Sequence, residues 1–71
     1  MEKEFAVKFL PFVNDPDNMR DFVSLLNYRI EYYKKQLVEA KDIDEVRRYQ
    51  GAINALTYLT EIRQRVLDYT G

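Results

Sequence analysis

Between Met19 and Ala40 the apolar residues fall at Met19, Val23, Leu26, Ile30, Tyr33, Leu37 and Ala40, an unbroken 4-3-4-3-4-3 spacing. An α-helix returns side chains to one face at that interval because about 3.6 residues complete a turn. The stripe therefore lays one continuous seam along a helix of about 25 residues, about 37 Å long. Asn14-Asp15-Pro16-Asp17 marks its start. Asp15 can cap, Pro16 suits the first helical position, and Asp17 complements the positive end of the helix dipole.

The stripe stops at Lys41-Asp42-Ile43-Asp44, where Asp42 followed by Glu45 has the form of a capping box. A second helix is expected there, running through Val46, Tyr49, Ile53, Leu56, Leu59, Ile62, Val66 and Tyr69. So short a connection favours antiparallel neighbours. Pairing about the turn sets Leu37 near Tyr49, Tyr33 near Ile53, Ile30 near Leu56, Val23 near Ile62 and Met19 near Val66, every layer apolar. The expected fold is all-α: an antiparallel helical hairpin, about residues 16–40 and 43–69, in a single domain spanning 1–71 and expected to be oligomeric.

Gly51 lies inside the second helix, where glycine costs about 1 kcal/mol relative to alanine. With Ala52 and Ala55 beside it, the backbone of another helix could approach, and Tyr33 of the first helix is the expected neighbour. In residues 1–13, Phe5, Val7 and Phe9 alternate as in a strand, yet no second strand-like run exists to pair with them. A short helix interrupted by Pro11, or an extended N-terminal arm, is expected instead. Either would cover the open end of the hairpin near Phe22, Leu59 and Val66.

A chain of 71 residues buries only about 60% of the surface its unfolded form exposes. Cysteine and histidine are both absent, which removes disulfides and Cys/His zinc as reinforcement. Oligomerisation and long, well-packed helices remain. A content of 46% hydrophobic and 14% aromatic residues marks a chain that folds. Eleven basic against twelve acidic residues give no broad electrostatic reason to approach nucleic acid or an anionic membrane. No apolar run reaches the length of a membrane span, and Met1-Glu2-Lys3-Glu4 does not open a secretion signal, so the expected compartment is cytoplasmic.

Catalytic chemistry finds no constellation. Ser24 has no histidine to activate it. The oxygen-rich run Asn14 to Asn18 lacks the turn glycine and distal glutamate of a calcium loop and reads as a helix cap. Glu31, Glu39, Asp44, Glu45, Glu61 and Asp68 are scattered along solvated faces, and no glycine-rich phosphate loop is present. Lys34-Lys35 and Arg47-Arg48 are interleaved with Glu39, Asp42, Asp44 and Glu45, as on a mixed-charge surface. No catalytic, cofactor-binding or metal-ligating residue is nominated, and no cofactor is expected.

Tyrosine is the more informative residue, at six of 71. Tyr28 and Tyr32 are one turn apart and continue a flank with Phe22 and Leu25; Gly51, Ala55, Tyr58, Ile62 and Tyr69 make another on the second helix. Two helices cannot bury both flanks. Either the N-terminal segment covers them or they meet another chain, where tyrosine is a favoured contact residue. The candidate protein interface is Leu25, Tyr28, Tyr32, Gly51, Ala55, Tyr58 and Ile62.

Arg29-Ile30, Leu37 to Ala40, the run from Asp42 through Arg47-Arg48-Tyr49-Gln50-Gly51 to Ile53, and then Ala55-Leu56 and Leu59 form one further pattern. It resembles small helical-hairpin proteins of tailed bacteriophages, which share an acidic turn followed by arginine, a Gln-Gly pair and a leucine-rich tail. The likeness covers roughly residues 28–62 and transfers no site residues. It implies a viral protein acting in virion assembly, located in the virion or host cytoplasm, or one that occupies a host protein. Two expectations follow: a non-enzymatic interaction module that self-associates, or a small inhibitor or regulator of a host enzyme or defence complex.

Overall fold

The computed structural model describes residues 2–70 as four helices, α1 (Lys3–Val13), α2 (Pro16–Glu39), α3 (Ile43–Thr60) and α4 (Ile62–Thr70), with no strand among the described residues. The chain is all-α. Asp15 caps α2 from an extended backbone (φ −89°, ψ 107°): its carboxylate accepts the Asn18 N–H at 3.0 Å, and Pro16 takes the first position, where no N–H is needed. Asp42 caps α3, accepting the Glu45 N–H at 2.8 Å. The Glu45 carboxylate reaches back to the Lys41 N–H at 3.1 Å, one residue before the cap, where a standard capping box would use the cap's own N–H.

α2 packs chiefly on α3, and α1 on α4 with a smaller contact to α2. The Tyr33 and Tyr49 rings lie 6.1 Å apart, and Phe22 and Leu59 line a common groove. Leu26 and Ile30 are buried in the α2 seam, against an α3 whose Val46, Tyr49, Ile53 and Leu56 are only half-buried. The densest packing is at the far end. There Ala6 and Val13 of α1, Met19 of α2 and Val66 of α4 form a core, with Leu10, Val23 and Ile62 around it. Burying a side chain of this kind contributes roughly 1.5–3 kcal/mol.

The N-terminal segment is a helix that Pro11 does not interrupt. Pro11 cannot donate to the Val7 carbonyl, but Val7 is exposed, so water can take that place. Helical spacing then sorts the residues: Ala6, Leu10 and Val13 turn to the core, and Phe5, Phe9 and Phe12 occupy the adjacent side. The strand-like alternation of Phe5, Val7 and Phe9 has no structural counterpart.

Two further expectations are corrected. The helix expected over 43–69 breaks at Glu61, whose N–H bonds back to the Tyr58 carbonyl at 3.1 Å, three residues away. Beside the break, the Thr60 hydroxyl donates to the Thr57 carbonyl at 2.7 Å. Gly51, expected against Tyr33, is exposed, and nothing lies within 4 Å of where its Cβ would be. No helix of this chain approaches it.

Candidate protein interface

Three helices and the end of a fourth surround one groove. α1 supplies Phe5, Phe9 and Phe12 at 4-3 spacing, α2 supplies Phe22, α3 Leu59 and α4 Ile62. Phe12 and Phe22 meet edge to face, with ring centroids 5.5 Å apart and planes at 79°. The groove encloses about 200 Å³, and every residue lining it is apolar. Phe5 remains 51% exposed and Phe9 49%, so its rim is aromatic surface in contact with water. With no donor, acceptor or charge in its walls, the groove has no means of orienting a polar substrate. It can bury apolar surface.

The break at Glu61 falls between two groove residues, Leu59 at the end of α3 and Ile62 at the start of α4. Val66 enters the core while Ile62, one turn earlier, lines the groove. Along α2, Leu25 follows Phe22 by three residues and extends the apolar side outward from the groove, at 58% exposure. Tyr32 lies two turns further on. Its ring faces the Arg29 guanidinium at 5.0 Å, and Arg29 also sits 5.1 Å from the Tyr33 ring and donates to the Tyr33 hydroxyl at 3.1 Å.

The seven residues named from the sequence lie on three helices: Leu25, Tyr28 and Tyr32 on α2, Gly51, Ala55 and Tyr58 on α3, and Ile62 on α4. Leu25, Tyr28 and Tyr32 follow one another along one exposed side of α2, and Tyr28 is the most exposed of the tyrosines named. Gly51, Ala55 and Tyr58 follow one another at 4-3 spacing on the exposed side of α3. The Tyr58 ring is stacked by the Arg65 guanidinium at 4.3 Å, and Arg65 is held by Glu61 at 2.9 Å. Ile62 alone of the seven lines the groove. The N-terminal segment expected to cover Phe22 and Leu59 brings Phe5, Phe9 and Phe12 beside them and leaves an open hollow between. Their signal was the helical 5-9-12 spacing of the phenylalanines.

Charge is dispersed. The ion pairs Arg20–Asp17, Arg20–Asp21, Lys34–Glu31 and Arg65–Glu61 join near neighbours in sequence across exposed surface, and such pairs contribute about 0–1 kcal/mol each. Among the described residues, no group of three or more potential ligands could hold a metal ion, and no helix is long and apolar enough to cross a membrane. No family model, curated protein or solved structure matches the chain.

Proposed function

We propose that this chain is a non-enzymatic protein-protein interaction module that works by self-association, its unit an antiparallel helical hairpin with α1 folded against the open end. The carrying observation is uncovered apolar surface. Phe5, Phe9, Leu25, Tyr28 and Tyr32 are each 45% or more exposed, and the total accessible surface, 5447 Å², exceeds the about 4,700 Å² of a compact monomer of 8.6 kDa. Its radius of gyration is 14.7 Å, against about 11 Å for a compact domain of this length. The molecule is a slab, 44 × 25 × 13 Å. A slab one helix-pair thick leaves aromatic side chains on its faces, and a partner surface is the ordinary means of covering them.

The pattern shared by residues 28–62 with helical-hairpin proteins of tailed phages extends the proposal to a virion assembly or structural component, placed in the virion or host cytoplasm. Nucleic acid and membrane are not its partners on this reading. Sedimentation equilibrium of the wild-type chain tests it: a mass above 8.6 kDa that increases with concentration supports self-association, and a monomer throughout the micromolar range refutes it.

A further inference from the structure

We propose that α1 is a lid with two positions and stands here in the open one: rolled about its own axis by about 50°, half the step between neighbouring residues, it carries Phe9 into the hollow and closes it. The movement is complete within one chain and does not depend on self-association. Between Lys3 and Val13 only Lys3, Glu4 and Lys8 are charged, and two apolar stripes of the same 4-3 spacing run side by side, Phe5-Phe9-Phe12 and Ala6-Leu10-Val13. A helix this apolar is expected to be covered over more than one stripe. Only the second stripe is covered here. Ala6 and Val13 are buried, while Phe5 and Phe9 stand half-exposed with the hollow open beside them.

The middle of the double stripe lies between Phe9 and Val13, which are one turn apart. α1 is therefore docked off centre, with Val13 turned in and Phe9 left on the rim. Centring it keeps every charge outside: Lys3 and Lys8 flank the apolar width on opposite edges, and Glu4 points away. Lys8 already stands beside the first stripe, its ammonium 5.6 Å from the centre of the Phe5 ring, and its stem can lie along apolar surface while the charge stays in water.

Room and tether both permit the roll. The hollow of about 200 Å³ is walled by apolar residues, so a ring entering it strips water from no polar side chain. Ile62 packs beside the core and also lines the hollow, so the two are contiguous. Only Asn14 and Asp15 join α1 to α2. Asp15 precedes Pro16 and is held extended, which leaves the torsions of Asn14 to absorb the turn. Burial of the phenylalanine rings favours the closed position, and the close packing of Ala6 and Val13 with Met19 and Val66 favours the open one. Packed layers of this kind switch between discrete arrangements.

Methyl relaxation dispersion, which reads microsecond-to-millisecond exchange, tests the lid in the wild type before and after tenfold dilution and in Phe9→Ala. Leu10, Val13, Leu59 and Ile62 should exchange with one shared rate that dilution leaves unchanged, while Leu26 in the α2 seam stays flat. Phe9→Ala should abolish the exchange, the α1 methyls included. Circular dichroism checks that the variant keeps its helices; if it does not, Phe9→Gln, whose amide finds no partner in an apolar hollow, is judged by the same criteria. Flat profiles in the wild type, or exchange that persists without Phe9, overturn the lid. A rate that changes with dilution also overturns it, because the motion then belongs to association between chains.

Discussion

Gly51 sits in the middle of α3 with helical backbone and open space where a Cβ would be, so its replacement loses no contact and gains helix propensity. Gly51→Ala should raise stability by about 0.5–1 kcal/mol, read as a higher melting temperature; a lower one would mean that something packs on that spot in solution. Asp42→Ala removes the acceptor of the 2.8 Å bond from the Glu45 N–H and should cost about 1 kcal/mol, measured by urea denaturation. Asp15 is likewise engaged as a cap, so a chelator should leave the melting temperature unchanged. A chelator-induced loss of helix, restored by a divalent ion, would contradict that account. The caps were legible in the sequence because Asp15-Pro16 and Asp42 to Glu45 act through bonds spanning three residues, within the reach of local pattern. Gly51 was not, because a glycine marks a permitted close approach and does not say whether another helix takes it.

α2 holds its line because the 4-3 stripe keeps Met19, Leu26 and Ile30 buried along one side. Ile30→Asp would bury an unpaired carboxylate at a cost of several kcal/mol, against a total stability of roughly 4–10 kcal/mol for a chain this size. The helix signal should be largely lost, and a variant with wild-type melting temperature would show that the seam is wrongly placed. In α1, Pro11 leaves one carbonyl without its intrahelical donor, so Pro11→Ala should stabilise by on the order of 1–3 kcal/mol; a destabilised variant would show that the ring itself packs. The start of α3 was readable from its capping sequence, while its end was not. Leu59, Ile62 and Val66 keep a helical spacing straight through Glu61, so the pattern carries no sign of the break there, where the Glu61 N–H bonds to the Tyr58 carbonyl. Of the groove, the sequence offered the helical spacing of Phe5, Phe9 and Phe12 and named Ile62, but not that these residues meet, because that depends on packing between α1 and α4, far apart in the chain.

The whole molecule is a slab whose fully buried side chains gather at the end where α1, α2 and α4 meet, leaving the α2–α3 seam partly wet. Without disulfides, and with few enclosed residues, its stability should be tied to the partner that covers the exposed phenylalanines. The most direct measurement is the melting temperature of the wild-type chain over a hundredfold dilution through the micromolar range. Self-association predicts that it falls by several degrees as the chain is diluted, because mass action then contributes less to the folded state. A melting temperature independent of concentration, from a chain that sediments as a monomer at the highest concentration, would contradict it.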